Sequence, residues 1–232
     1  ANLAPITNSQ VVATIADTSV YPEGMDHDPV TGAWFVASIR QRKIVRIDRD
    51  GRAAPFGRIP DNARLDAVLG VRVDSLRRIL WATTRALPQM EEYRPSDGGR
   101  ATVLAFALDD GRLLGTATPA ESAGHHFGDL VIDPMGVAYL SDSESPVLYR
   151  AQLGPRGIVL EEVLRHRLFR SLQGLTFDDS GRRLYLADYS HGLLLVDLAE
   201  RTVVPVSAPA GVSTLLIDNI VVASETGALG AG

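Results

Sequence analysis

The chain has no cysteine, no long apolar run and a deficit of basic residues, and each shortage excludes a class of protein. Without cysteine among 232 residues there is no disulfide scaffold, thiol nucleophile or zinc–thiolate site, although the redox compartment stays open. Lys and Arg number 23 against 28 Asp and Glu, so the net charge of −5 offers no basic field for nucleic acid. No apolar stretch approaches the roughly 20 residues that span a bilayer, and no signal-peptide pattern is present. We expect a soluble protein, cytoplasmic or exported, that does not bind nucleic acid.

Several catalytic motifs are also missing from the chain. There is no Gly-x-Ser-x-Gly elbow, no phosphate-binding glycine-rich loop before Lys and Ser or Thr, and no His-Glu-x-x-His pair. The common serine-hydrolase, nucleotide-binding and zinc-protease chemistries are therefore not indicated.

What is present is an internal repeat. Turn aspartates Asp28, Asp74, Asp133 and Asp178, followed by Ala223 at the fifth equivalent position, lie 46, 59, 45 and 45 residues apart. Each follows a short apolar run and precedes a second one, as in the template Tyr21–Ser38. A period of about 40–50 residues is typical of a four-stranded propeller blade. The sequence predicts an all-β fold, a β-propeller of four-stranded antiparallel blades forming one domain over residues 1–232.

The outer strands of each unit are also visible. Apolar runs such as Ile44–Ile47 and Val103–Phe106 precede Asp-Gly turns, which are strong hairpin signals. The one long interval contains residues 85–100, which are rich in Pro and Gly and lack apolar periodicity. We expect this insertion to join the second and third strands of blade two, on the face of the entry loops, where it is a candidate lid.

The starts of the innermost strands converge on the central channel of a propeller. The residues at these positions are Glu23, Leu69, Gly128 with Asp129, Gln173, and Asp218 with Asn219. Three carboxylates and two amide oxygens form the all-oxygen donor set that hard cations prefer, so calcium is the expected ion. The alternative is that these Asp, Asn and Gly residues only form turns and cap backbone amides.

Histidines and strand-end aspartates supply further candidates. His125 and His126 precede the first strand of blade three, and His191 lies in a loop of blade four, so each is a candidate general base. His27 falls inside a strand and is expected to be a packed residue. For substrate binding we single out Gln173, Asp142, Asp188 and Tyr189, although Asp142 and Asp188 also suit the simple role of ending a strand.

Four short motifs stand at the entry positions of the repeat: Tyr21–Gly24, Phe127–Asp133, Gln173–Leu175 and Ile217–Ile220. Together they resemble the senescence-marker-protein, gluconolactonase and luciferin-regenerating family, and more distantly the paraoxonases and strictosidine-synthase-like proteins. The resemblance implies a six-bladed propeller with a divalent cation at the channel mouth, of which five motifs are visible and the last is incomplete. Carried over by position, the ligands are Glu23, Asp129, Asp218 and Asn219, with Gln173 in place of an asparagine.

The resemblance implies a calcium-dependent hydrolase of a lactone or ester. Gly128 stands where the family usually has a ligand asparagine, and Leu69 makes the equivalent position of blade two apolar, so the ligand set departs from the family pattern. Two alternatives stay open. One is a propeller that binds a small molecule without hydrolysing it, and the other is a propeller that catalyses condensation or isomerisation without an obligatory metal.

Overall fold

The computed structural model describes residues 11, 13–60, 65–120, 124–223 and 228–231, which form antiparallel sheets of consecutive strands. Blade one contains β1 (Pro22–Asp28), β2 (Ala33–Ser38), β3 (Lys43–Ile47) and β4 (Ala53–Phe56). Blade two contains β5 (Ala67–Asp74), β6 (Ile79–Arg85), β7 (Ala101–Ala107) and β8 (Leu113–Ala117). Blade three contains β9 (Phe127–Ile132), β10 (Ala138–Asp142), β11 (Val147–Gly154) and β12 (Gly157–Arg165). Blade four contains β13 (Leu172–Phe177), β14 (Arg183–Asp188), β15 (Gly192–Asp197) and β16 (Thr202–Pro205).

The fifth unit is a pair of strands, β17 (Ile220–Ala223) and β18 (Ala228–Ala231). Successive inner strands β1, β5, β9, β13 and β17 pack side by side, as expected of blades arranged around a channel. The prediction of an all-β propeller with four-stranded antiparallel blades is thus confirmed. No helix among the described residues is long and apolar enough to cross a membrane.

The hydrophobic core lies between neighbouring blades. Middle strands such as β6 and β10 are buried on both faces, because a sheet lies against each side of them. Separate apolar clusters join blades one and two, blades two and three, and blades three and four. Their large buried side chains include Phe35, Leu80, Phe106, Trp81, Phe127, Leu140, Leu148, Leu175 and Leu186. The channel is consequently not needed for apolar packing and is free to carry polar groups.

Each of the four complete blades has an irregularity in strand pairing at the same place on its inner strand. The regular register is interrupted across Glu23–Gly24, Leu69–Gly70, Gly128–Asp129 and Gln173–Gly174. β-bulges of this kind redirect side chains and are common beside functional sites. The repeated bulge brings the predicted entry residues to the mouth of the channel.

Neighbouring inner strands approach each other closely at the bulges. A Cβ atom on Gly24 would lie 2.5 Å from the carbonyl oxygen of Leu69, and one on Gly174 would lie 2.7 Å from the Cα atom of Asn219. The amide of Gly174 donates to the carbonyl oxygen of Asp218 at 2.8 Å. Glycine is therefore required here by the backbone of the next blade.

The aspartates that end β10 and β14 hold the loops around the channel mouth. Asp188 accepts hydrogen bonds from the amides of Arg170, Ser171, Ser190 and His191 at 2.8–2.9 Å. Asp142 has the same function in blade three, where it accepts from the amides of His126, Glu144 and Ser145. Each carboxylate thereby ties the entry loop of its blade to the loop after its second strand.

The insertion after β6 joins the second and third strands of blade two, as predicted. Ala86 and Met90 are buried within it, next to Ala67 of β5. Its Glu91 amide donates to the Arg40 carbonyl oxygen at 2.9 Å, and Glu92 forms a 2.8 Å ion pair with Arg42. The insertion is therefore anchored on the turn between β2 and β3 of blade one.

Replacing Gly24 by alanine is expected to destabilise the fold by about 1–3 kcal/mol, because the new methyl group overlaps the backbone of blade two. The matched control is Gly128→Ala, since a Cβ atom at Gly128 meets only Ser141 Oγ, at 3.9 Å. Urea unfolding of both variants measures the difference. Equal midpoints for the two would contradict the close approach.

Asp188→Ala is expected to cost about 2–3 kcal/mol, because it leaves several loop amides without their acceptor. The control is Asp179→Ala, at an exposed turn position. Urea unfolding measures stability, and amide hydrogen exchange at residues 170–171 and 190–191 localises the change. Wild-type protection of those amides in Asp188→Ala would argue against the capping role.

Candidate functional site

A cavity of about 680 Å³ lies at the entry ends of the inner strands. The residues singled out in the sequence that line it are Glu23, Leu69, His126, Gly128, Asp129, Gln173, Tyr189, Asp218 and Asn219. Arg72, Ser143 and Ser171 also belong to its wall. The channel mouth therefore brings together all five predicted metal ligands, one predicted histidine and two predicted substrate-binding residues.

Four other predicted site residues lie outside the cavity wall. Asp142 and Asp188 are fully buried, with their oxygens engaged in the loop hydrogen bonds described above. His125 is 2% exposed, and its Nδ1 lies 2.7 Å from Asp142 Oδ2. His191 places Nδ1 3.3 Å from Asp188 Oδ1. In this structure these side chains support the loops and do not contact the cavity. The insertion lines no part of the cavity as the structure describes it, and its role as a lid stays a prediction.

Arg72 is a charged residue of the cavity wall that sequence reasoning missed. It lies on β5, where Nη2 donates to Asp129 Oδ2 at 2.9 Å and Nη1 donates to the Val71 carbonyl oxygen at 2.9 Å. Burial raises the pKa of Asp129, and the guanidinium of Arg72 opposes that rise. The sequence feature that could have indicated Arg72 is a charged residue within a predicted inner strand, two positions after Gly70. Arg72 is the one cationic side chain in the cavity wall as the structure describes it.

The carboxylates of the cavity repel each other. Partial removal from water raises the pKa of Glu23, and the negative charges of Asp218 and Asp129 raise it further. Asp218 Oδ1 accepts a hydrogen bond from the Tyr189 hydroxyl at 2.6 Å. This bond raises the pKa of Tyr189 to about 12, so the phenol stays protonated at neutral pH. Glu23 is thus a carboxylate with a raised pKa that has no protein partner of its own among the hydrogen bonds described.

Two of the five predicted metal ligands are already engaged by other groups of the protein. Asn219 Oδ1 accepts from the amide of Ile220 at 2.8 Å, and Asp129 is committed to Arg72. Within the described ranges, no three Asp, Glu or His side chains are placed to hold one ion. The donors have the chemistry that calcium prefers. The described arrangement, however, does not gather them into one coordination shell.

His126 is the predicted histidine that lines the cavity. Its Nδ1 contacts Nη1 of Arg85, and Nη2 of Arg85 contacts Glu144 Oε1. Burial and the neighbouring guanidinium lower the pKa of His126 to about 4. The cavity wall therefore carries a neutral imidazole at pH 7, while Glu23 is a carboxylate with a raised pKa.

Comparisons with known proteins extend the fold assignment. No protein-family model and no curated protein matches the chain. A functionally unknown protein from Desulfotomaculum acetoxidans DSM 771 is similar in structure, with a TM-score of 0.63, 12% identity, and coverage of 90% of this chain and 62% of that one. A chain of a nidogen/laminin complex is also similar, with a TM-score of 0.59, 19% identity, and coverage of 87% of this chain and 68% of that one.

The β-propeller domain of Myceliophteria thermophila Cps50 (Swd1) is a further structural neighbour. It gives a TM-score of 0.60 at 9% identity, with coverage of 87% of this chain and 59% of that domain. The chain thus spans about three fifths of the length of the first and third of these neighbours. At such low identities the likeness concerns the fold alone, and the fold it supports is a β-propeller.

Proposed function

We propose that the cavity at the channel mouth hydrolyses a lactone or ester, as the resemblance to the gluconolactonase family implies. The observation that carries the proposal is a pair of groups in one cavity wall. Glu23 has a raised pKa, and His126 is neutral at pH 7. Acid–base catalysis is most efficient when the pKa of the base approaches the working pH.

In the proposed reaction the Glu23 carboxylate takes a proton from water. The resulting hydroxide adds to the carbonyl carbon, and the carbonyl oxygen becomes an oxyanion. When the bond to the leaving oxygen breaks, protonated Glu23 returns its proton to the departing alkoxide. A guanidinium has five N–H groups, and two of those of Arg72 are bound to Val71 and Asp129, so others are free to stabilise the oxyanion.

Glu23→Gln is expected to lower kcat/KM by about 10²–10⁴-fold, because glutamine cannot accept the proton. A panel of lactones and aryl esters measures the loss, and Glu200→Gln, at an exposed turn outside the cavity, is the matched control. The wild-type rate is expected to fall with decreasing pH, with a midpoint above the ordinary glutamate value of 4.5. Unchanged hydrolysis by Glu23→Gln would remove Glu23 from the mechanism.

Calcium is the ion that we propose for this cavity, on the ground of charge. Three carboxylates, those of Glu23, Asp129 and Asp218, share the wall with the single guanidinium of Arg72. A divalent cation would relieve the repulsion that raises the pKa of Glu23. Because the described donors do not form a coordination shell, no step of the reaction is assigned to the ion.

Calcium added to chelator-treated protein is expected to raise the unfolding temperature, since a ligand at 100 times its Kd stabilises by about 2.7 kcal/mol. Asp218→Asn is expected to reduce this shift, whereas the exposed control Asp179→Asn keeps it. Thermal shift with calcium, zinc, manganese and chelator makes the measurement. Identical melting curves with and without every ion would overturn the calcium proposal.

The second candidate is a propeller that binds a small molecule without hydrolysing it. This candidate is favoured by the ion pair between Arg72 and Asp129, because Asp129 is a predicted metal ligand and its carboxylate is already bound to a guanidinium. In addition, Leu69 and Gly128 have no side chain that could bind a metal ion. Saturable binding of a lactone or ester without turnover supports this candidate. Turnover to an isomer or condensation product, without hydrolysis, supports instead a propeller that catalyses isomerisation or condensation without an obligatory metal.

A further inference from the structure

We infer that Arg85 is a positioning residue that fixes the tautomer of His126, so that the imidazole presents an Nε2–H donor at the cavity wall. The consequence for catalysis rests on the proposed function. The tautomer itself is a property of the folded protein. Arg85 lies outside the cavity wall and acts through the histidine.

The direction of the hydrogen bond follows from the chemistry of the two side chains. Nη1 of Arg85 contacts Nδ1 of His126. A guanidinium carries only donors, so Nδ1 must be the acceptor. A neutral imidazole has one proton, and with Nδ1 accepting, that proton is on Nε2.

Arg85 is held in place by both of the blades that it joins. It is the last residue of β6 and pairs with Ala101 of β7. Its other terminal nitrogen forms an ion pair with Glu144, in the loop after β10, and its side chain is only 16% exposed. The guanidinium therefore spans from blade two to the loops of blade three with little freedom to move.

The backbone that carries the imidazole is also held on both sides. The amide of His126 donates to Asp142 Oδ1 at 2.9 Å, and its carbonyl oxygen accepts from the amide of Ser143 at 3.0 Å. A fixed backbone together with a fixed Nδ1 partner determines the plane of the ring. The preorganised donor that results is the kind of group that stabilises developing negative charge.

This arrangement divides the chemistry of the cavity between two residues. With its Nε2 protonated and its Nδ1 bound to Arg85, His126 has no free lone pair to take a proton from water. Its contribution is a hydrogen bond to a carbonyl oxygen or oxyanion of the substrate. Proton acceptance is left to Glu23, in agreement with the reaction proposed above.

The first experiment observes the tautomer directly by NMR of protein labelled with ¹⁵N-histidine at pH 7, with the His126 signals assigned from His126→Gln. The wild type is expected to show a pyridine-type Nδ1 and a protonated Nε2. Arg85→Met removes the donors at similar length and is expected to give a mixture of tautomers. Arg85→Lys retains a donor and is expected to restore the wild-type pattern.

Glu144→Gln is the matched control, because it removes the ion pair of Arg85 and leaves the contact with His126. It is expected to keep the wild-type tautomer. A proton on Nδ1 in the wild type would overturn the inference, as would an unchanged tautomer in Arg85→Met. If Arg85→Met does not fold, as judged by loss of the native NMR spectrum, the test uses Arg85→Lys and Glu144→Gln. Both variants must then show the wild-type tautomer, and a changed tautomer in either one would overturn the inference.

The second experiment connects the tautomer to catalysis. Arg85→Met is expected to lower kcat by about 10²-fold with a smaller change in KM, since a misaligned donor weakens the transition state more than substrate binding. Arg85→Lys is expected to recover most of the rate. If no lactone or ester is hydrolysed, the proposed function fails while the NMR result on Arg85 stands by itself.

Discussion

The packing of one sheet face against the next is the interaction on which this structure depends. Every complete blade buries apolar side chains against its neighbours, as Leu80 and Phe106 of blade two do against Phe35 of blade one. Burial of one such side chain contributes roughly 1.5–3 kcal/mol, so each blade interface is stabilised by several of them. Because this core lies between the blades, the axis of the molecule is open to polar residues. The polar cavity at the channel mouth is possible because apolar packing is confined to the interfaces between blades.

Close approach of the inner strands adds a second constraint. The blades meet at their entry ends, where Gly24 and Gly174 leave room for the backbone of the next blade. The bulges at the same positions interrupt the pairing of each inner strand. The residues that precede or follow these glycines are thereby gathered around a single cavity, although they come from distant parts of the chain. Buried aspartates such as Asp188 hold the loops around it.

The electrostatics of the cavity differ from those of a simple acidic site. Arg72 supplies one positive charge beside Asp129, while burial and the negative charges of Asp218 and Asp129 still raise the pKa of Glu23. Outside the wall, Arg85 fixes the direction of the His126 hydrogen bond, and burial together with the Arg85 charge lowers the pKa of His126 so that it stays neutral. Two arginines thus influence the polar groups of the cavity: Arg72 pairs with one carboxylate, and Arg85 orients the imidazole of His126. Neither of them belongs to a motif that is recognisable from its neighbours in the sequence.

Local patterns predicted a large part of the molecule. The repeat of Asp28, Asp74, Asp133 and Asp178 located the turns, because each of these aspartates accepts hydrogen bonds from backbone amides of its own turn, only a few residues away in the sequence. The alternation of apolar residues located the strands and the insertion. The entry residues Glu23, Asp129, Gln173 and Asp218 were also found, since their positions follow from the blade period. These features depend on interactions within about ten residues of the chain or on the regularity of the repeat.

The sequence by itself thus determined the propeller, the limits of its blades and the ring of residues at the channel mouth. Only the tertiary structure decided the state of those residues. Arg72 pairs with Asp129 across 57 positions of the chain, and Arg85 reaches His126 across 41. Likewise, burial separates His125 from His126, although the two are adjacent in sequence and of the same type. The physical reason is that charge pairing, desolvation and tautomer depend on distances between blades, which a local pattern of residues does not contain.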